Sequence, residues 1–167
     1  MSAALPPFQS FLDEHREVVW RFLVASVGRE EAEDCFQETF IAALRAYPRL
    51  RNARREHNLR GWVLAIAHNK ALDAHRARGR RAVPVADPEP SARAGDAAAG
   101  TGQAPARDED LWAAVAELPR RQRSAVVLRF VGDLPHREIA AAIGCSEDAA
   151  RRSLHEGLTK LRKAVAA

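Results

Sequence analysis

A stretch of 30 residues near the end of the chain, 134–163, has the pattern of two helices joined by a tight turn. Gly144 gives the first helix a permissive backbone at which to end, and Ser146 is a favoured N-cap for the second. The second helix carries an apolar stripe on one side and Arg151, Arg152 and His155 on the other. This pattern is typical of the helix-turn-helix motif that reads DNA. The alternative is an ordinary helical hairpin whose charges form a solvated face.

The rest of the chain also has helical periodicity, and strand patterns are close to absent. Between residues 82 and 107 the composition changes to four prolines and three glycines, with no aromatic residue. Such a segment cannot bury enough apolar surface to offset the entropy of ordering, so it is predicted to be a flexible linker. The sequence therefore predicts an all-α fold of two small helical domains, 1–81 and 108–167, with the helix-turn-helix in the second.

The charges of the first domain are segregated along the sequence. Residues 13–38 hold eight acidic side chains against three arginines, whereas residues 45–81 hold eleven basic side chains against two acidic ones. The whole chain has a net charge of +4 and a pI of about 9.7. Charges that serve only solubility would be mixed along the sequence rather than separated into an acidic and a basic stretch. The pattern therefore favours an anionic partner such as nucleic acid.

The helix predicted at 30–47 has a polar face interrupted by one large apolar residue. Its members recur at helical spacing: Asp34, Gln37, Glu38, Ile41 and Arg45. An isoleucine among acid and amide groups suits docking of a partner helix, although a single exposed isoleucine is also commonplace. We expect Leu44 to lie on the buried side of this helix and Pro48 to end it.

The next segment is basic over both a loop and a helix. Residues 49–60 are turn-rich and basic, and the helix at 61–81 starts apolar and ends with four arginines in six residues. A helix that is buried at its N-terminal end and positively charged at its C-terminal end is suited to contact with phosphates. The alternative is that these arginines simply complement the helix dipole.

Several functional classes lack support in the sequence. Cys35 and Cys145 are far apart and have no ligand spacing, which argues against a zinc site or a disulfide framework. Glycine-rich phosphate loops, HExxH and nucleophile elbows are missing. The N-terminus lacks a secretory pattern, and no apolar run approaches ~18 residues. We expect a soluble intracellular protein without enzymatic activity, metal, cofactor or membrane insertion.

Three blocks resemble the bacterial sigma factors of the extracytoplasmic-function (ECF) type within the sigma-70 family. AEDCFQETFIAALRAYPRL resembles their polymerase-binding helix, and LRGWVLAIAHNKALDAHRARGRR their −10 helix. LPRRQRSAVVLRFVGDLPHREIAAAIGCSEDAARRSLHEGLTKLRK resembles their −35-reading domain. The resemblance implies that 1–81 is sigma domain 2, 82–107 a linker and 108–167 sigma domain 4. It also implies a cytoplasmic, nucleoid-associated protein whose partners are core RNA polymerase, promoter DNA and an anti-sigma factor.

The resemblance implies a role for each set of residues. Those expected to dock on the clamp helices of the polymerase β′ subunit are Asp34, Gln37, Glu38, Ile41 and Arg45. Those expected to recognise and help melt the −10 element are Asn52, Asn58, Asn69, Lys70, Asp73, Arg76 and Arg80. Those expected to contact the −35 element are Arg120, Arg151, Arg152, Ser153 and His155. The domain that carries them is also expected to contact the β flap of the polymerase. Asn52 or Asn58 could read the edge of a flipped base.

Two other functions are compatible with parts of the sequence: a stand-alone DNA-binding regulator and a sigma-like adaptor. A stand-alone helix-turn-helix regulator would not need the basic −10-like block or the partner face at 34–45. A sigma-like adaptor could bind an anti-sigma protein without reading DNA. Three acids on the presumed reading helix favour the adaptor because they repel phosphate: Glu147, Asp148 and Glu156. Acids at a helix start also suit its dipole, and they can accept from cytosine.

Overall fold

The computed structural model describes residues 5–50, 58–81 and 106–166, and in these ranges the regular structure is helical. The helices are α1 Phe8–Val27, α2 Arg29–Leu50, α3 Leu59–Arg81, α4 Ala106–Ala116, α5 Arg120–Phe130, α6 His136–Ile143 and α7 Glu147–Ala166. The predicted all-α fold is confirmed. Asn52 and most of the predicted linker lie outside the described residues, and α4 begins two residues before the predicted domain boundary.

Helices α1, α2 and α3 pack on one another as a three-helix unit. Gly28 connects α1 to α2 with φ +83°, a backbone conformation that side-chain-bearing residues rarely adopt. Phe11 is fully buried, with its ring centroid 5.1 Å from that of Tyr47 and 5.8 Å from that of Trp62. One aromatic cluster thus joins all three helices.

Two expectations for α2 were wrong. The helix continues through Pro48 to Leu50, because the proline removes one hydrogen bond near an end that is anchored by other contacts. The Tyr47 hydroxyl donates to the Pro6 carbonyl oxygen at 2.7 Å, and Leu50 packs against the core. Leu44 is 53 % exposed rather than buried. At about 100° per residue it lies only ~20° around the helix from Gln37, on the exposed side.

Helices α4 to α7 form the second unit, which contains the predicted helix-turn-helix. Gly144 ends α6 in the left-handed conformation, φ +71°, and the Ser146 hydroxyl accepts from the Ala149 N–H at 3.2 Å. Both predicted turn roles are therefore confirmed. Gly157 lets α7 approach α5 closely, since a Cβ there would lie 2.9 Å from the Val126 side chain.

The two units are in contact rather than apart. Helix α6 packs on α3, and α4 and α5 contact α1. Leu64 of α3 is fully buried, and its Cδ1 lies 2.9 Å from where a Cβ on Gly132 would stand. The buried apolar side chains of both units form a single cluster. This packing was not anticipated from the sequence.

Candidate polymerase and promoter interfaces

The outer face of α2 presents the five residues that were predicted to bind polymerase. Asp34, Gln37, Glu38, Ile41 and Arg45 are all exposed. Ile41 is 49 % exposed, and Leu44 adds a second large apolar side chain beside it. Two exposed apolar groups flanked by acids and an amide form a surface suited to docking a helix. Sequence reasoning missed Leu44, although its angular position next to Gln37 carried the signal.

Four of the predicted −10 residues share one stripe along α3. Asn69, Asp73, Arg76 and Arg80 are exposed and spaced by four, three and four residues, which aligns them within ~60° around the helix. Arg76 Nη1 lies 3.5 Å from Asp73 Oδ1. The stripe can follow a nucleic-acid backbone with its arginines while the amide and carboxylate groups face bases.

Two other basic residues of α3 point toward α2 instead. Lys70 is half-buried, and its Nζ lies 3.6 Å from Glu38 Oε2. The Arg78 Nε donates to Glu31 Oε1 at 2.9 Å. These pairs connect the basic helix to the acidic one. The charge segregation seen in the sequence therefore serves partly to join α2 and α3.

Asn58 stands just before α3 and serves as its N-cap. Its Oδ1 accepts from the Gly61 N–H at 3.1 Å, and its Nδ2 donates to the carboxylate of Glu138 on α6. The capping role was not recognised from the sequence, where the residue was assigned only to base reading. Both polar atoms of the side chain are occupied in this conformation.

A surface pocket of about 340 Å³ lies beside Asn58. Its lining is Glu14, His15, Asn58, Leu59 and Arg60. Two buried nitrogens of this lining, His15 Nε2 and Arg60 Nε, have no hydrogen-bond partner among the described residues. Burial lowers the pKa of His15, so its ring favours the neutral form, which both donates and accepts. The pocket has the size and the polar groups to hold a single unstacked base.

The exposed side of α7 carries Arg151, Arg152 and His155. Glu147 Oε1 accepts from Arg151 Nη2 at 2.7 Å, and Glu156 Oε2 accepts from Gln122 Nε2 at 2.8 Å. Two of the three acids that seemed unfavourable for DNA are thus engaged with neighbouring side chains. An arginine held by an adjacent carboxylate is partly oriented for bidentate contact with guanine.

Two predicted −35 residues lie elsewhere. Ser153 is half-buried and lies ~160° around α7 from His155. It is therefore not on the reading face of α7, the exposed side that carries Arg151, Arg152 and His155. Arg120 lines a narrow cleft between α1, α3 and α5, with His75 and Arg123. The structure therefore places Arg120 at the junction of the two units.

Arg123 and His75 both approach the Ser26 carbonyl oxygen in this cleft, a shared contact that sequence reasoning did not identify. His75 Nε2 lies 3.1 Å from the Ser26 carbonyl oxygen, which also accepts from Arg123 Nη1 at 3.4 Å. Arg123 Nη2 donates to the Leu118 carbonyl oxygen at 3.1 Å. Burial and the positive charges of Arg120 and Arg123 lower the pKa of His75. Its ring is therefore neutral in this arrangement near pH 7.

Three further features of the described residues concern metal binding, thiol reactivity and membrane insertion. Groups of His, Cys, Asp and Glu that could hold a metal ion do not occur in this part of the chain. Burial and nearby acids raise the pKa of the Cys35 thiol to about 11, which keeps it protonated and unreactive. Over the ranges that the structure covers, no helix is both long and apolar enough to cross a membrane.

Comparison with known proteins matches both units to one family. Residues 11–81 match Sigma-70 region 2, and residues 108–161 match Sigma-70, region 4. The ECF RNA polymerase sigma factor SigE of Mycolicibacterium smegmatis is 32% identical over 175 residues, which cover 98% of this chain and 63% of that protein. SigD of Mycobacterium tuberculosis is 33% identical over 165 residues, covering 93% of this chain and 76% of that protein.

Solved structures share the fold at lower identity. The sigma factor RpoE of Bartonella quintana, in complex with the anti-sigma factor NepR, has a TM-score of 0.77 at 20% identity, covering 96% of this chain and 97% of that one. CnrH, in complex with the cytosolic domain of CnrY, has a TM-score of 0.63 at 19% identity, covering 93% and 85%. With two matched regions and relatives above 30% identity, this chain belongs to the ECF sigma factors of the sigma-70 family.

Proposed function

We propose that this chain binds core RNA polymerase and directs it to specific promoters, where it helps to open the DNA. The observation that carries the proposal is the presence of three separate surfaces on one chain: the docking face of α2, the polar stripe of α3 and the reading face of α7. A stand-alone DNA-binding regulator needs only the last of these. Membership of the ECF family supports the same reading.

Each surface has a partner in this proposal. Asp34, Gln37, Glu38, Ile41 and Arg45 dock on the β′ clamp helices, and Leu44 joins them. The stripe of α3 and the pocket beside Asn58 receive the −10 element, because an opened strand offers phosphates and an unstacked base. Arg151, Arg152 and His155 reach the −35 element, while the surrounding domain meets the β flap.

The proposed domain assignment follows from the partner of each surface. Residues 1–81 act as sigma domain 2, residues 82–107 as the linker and residues 108–167 as sigma domain 4. The protein has no chemistry of its own, since bond formation belongs to the polymerase. It works in the bacterial cytoplasm at the nucleoid, where promoter DNA is found.

An anti-sigma factor is the proposed regulatory partner. RpoE was solved in complex with the anti-sigma factor NepR, and CnrH in complex with the cytosolic domain of CnrY. The same fold in this chain supports a partner of the same kind. A sigma-like adaptor would bind such a partner without reading DNA, so binding and transcription assays with polymerase and promoter DNA are needed to separate the two functions.

The deciding experiment is run-off transcription with purified protein, core polymerase and a genomic promoter library. We expect promoter-specific transcripts that are absent when the protein is omitted. Binding of duplex DNA with no effect on polymerase would instead identify a stand-alone regulator. Binding of neither polymerase nor DNA would favour the adaptor.

A further inference from the structure

The contact between the two units includes a hydrogen bond that occupies a predicted promoter-reading residue. Asn58 Nδ2 donates to the Glu138 carboxylate, across 80 residues of sequence. A Cβ on Gly61 would stand 2.7 Å from Glu138 Oε2, so the glycine leaves the space that this carboxylate fills. The first turn of α6 is therefore seated directly on the N-terminal end of α3.

Apolar packing supports the same contact. Leu64, one turn further along α3, is fully buried and lies against Gly132, just before α6. Leu134 is also fully buried. Separating the units would expose part of this apolar surface to water, which favours the closed arrangement.

A third contact closes the other side of the junction. The Ser26 carbonyl oxygen at the end of α1 is approached by both His75 of α3 and Arg123 of α5. Three elements are thus joined at one backbone acceptor. The closed arrangement is held by a latch at Asn58–Glu138, an apolar patch at Leu64–Gly132 and a polar junction at Ser26.

We propose that the free protein is closed on itself through this junction, and that Glu138 masks Asn58 and the pocket beside it until the two units separate. The inference depends on the proposed function, because masking matters only if Asn58 contacts promoter DNA. In the closed form Glu138 takes the Asn58 donor, and its negative charge stands beside the pocket that would receive a base. An incoming strand would meet both an occupied amide and a like charge.

The latch is suited to being opened. A hydrogen bond between a carboxylate and an amide at an exposed site contributes modestly to stability, so polymerase binding to the α2 face and DNA binding to α7 can outweigh it. The 24 residues between α3 and α4, 82–105, can reach at most ~80 Å, so chain length does not prevent the units from separating.

The test combines solution scattering with binding of a single-stranded −10 oligonucleotide in the absence of polymerase. A compact chain of this length has a radius of gyration of about 15 Å, whereas two separated domains would exceed ~20 Å. Glu138→Ala removes the latch, and Glu138→Gln removes the same charge but keeps an acceptor for Asn58. Gly61→Ala is a second latch variant, in which the added methyl displaces Glu138 while alanine suits the helix.

We expect the wild type to be compact and to bind the oligonucleotide weakly. Glu138→Ala and Gly61→Ala should bind it roughly 3- to 10-fold more tightly, because more molecules have the Asn58 side chain and the pocket beside it free. Glu138→Gln should gain less than Glu138→Ala, because it removes the like charge but keeps an acceptor for Asn58. An extended wild type would overturn the proposal, as would equal gains for Glu138→Ala and Glu138→Gln, which would indicate simple charge repulsion.

Run-off transcription with the same proteins separates this inference from the function on which it depends. If the wild type supports promoter-specific transcripts but the latch variants bind the oligonucleotide no better, the masking is wrong and the sigma function stands. If the latch variants gain binding but none of the proteins supports transcription, the proposed function fails while the closed state stands.

Discussion

Glu38 on α2 lies 3.6 Å from Lys70 on α3, so a residue assigned to polymerase binding is paired with one assigned to −10 DNA. The side chains are 62 % and 29 % exposed, and ion pairs of this kind contribute under ~1 kcal/mol. We expect a double-mutant cycle of Glu38→Ala and Lys70→Ala, measured by urea unfolding, to give a coupling of about 0.5 kcal/mol or less. A larger coupling would mean that Glu38 is chiefly structural.

Leu44 is expected to contribute to polymerase binding although sequence analysis placed it in the core. Leu44→Ala should weaken affinity for core polymerase roughly 5-fold or more, because a large apolar side chain at a docking face is buried on association. Binding is measured by fluorescence anisotropy of labelled protein. Val165→Ala is the matched control, since Val165 is also well exposed and lies on α7.

The Leu44→Ala variant should unfold at the same urea concentration as the wild type, since its side chain is half-exposed in the free protein. Unchanged polymerase affinity would remove Leu44 from the docking face. Equal losses in Leu44→Ala and Val165→Ala would show that the effect is not specific to α2.

Arg151 is expected to read a base in the −35 element. Arg151→Ala should reduce promoter affinity by about 1–3 kcal/mol and relax specificity at one position, as loss of a bidentate guanine contact does. The measurement is competition binding of the polymerase complex to −35 sequence variants. Arg162→Ala on the last turns of α7 is the control, and a uniform loss across all sequences would reduce Arg151 to a phosphate contact.

Stability should fall in mild acid because of His68. Burial, and secondarily His75, lowers the pKa of His68 to about 4, whereas the unfolded chain has a value near 6.5. The folded state therefore binds this proton less tightly than the unfolded state does. Its contribution is complete above pH ~6.5 and is lost as the pH falls toward 4, by roughly 3 kcal/mol.

Urea unfolding between pH 4.5 and 7.5 measures this dependence. His68→Gln should flatten the slope, whereas His155→Gln on the exposed face of α7 should leave it unchanged. His75 contributes in the same direction, since its pKa is also lowered. A full slope in His68→Gln would assign the acid sensitivity to His75 and the junction at Ser26.

Local patterns predicted most of the helices and turns. Periodicity located the helices, and the roles of Gly144 and Ser146 followed from backbone preferences that act over a few residues. Pro48 was misjudged because its local effect was outweighed by the distant anchoring of Tyr47 and Leu50. Leu44 was misjudged because hydrophobicity alone was taken to mean burial.

The contacts between the two units could not be predicted, because no local sequence pattern marks them. The partners Asn58 and Glu138 are each ordinary polar residues at helix starts, and nothing periodic connects them. The same holds for Ser26, whose role depends on a backbone carbonyl. Of the site residues, those on one helix could be grouped from spacing, as on α2 and α3, and the same spacing separates Ser153 from His155 on α7. Arg120 required the packing of neighbouring helices to be placed.

Gly157 has a consequence that reaches beyond its own packing against Val126. It lies six residues after Arg151, about 9 Å along α7, and it determines how closely the back of this helix approaches α5. A side chain at that point would require α7 to move away from α5 or the Val126 side chain to shift. In the proposed promoter complex, the placement of the α7 arginines against the DNA would therefore depend on a residue with no side chain, on the opposite side of the helix.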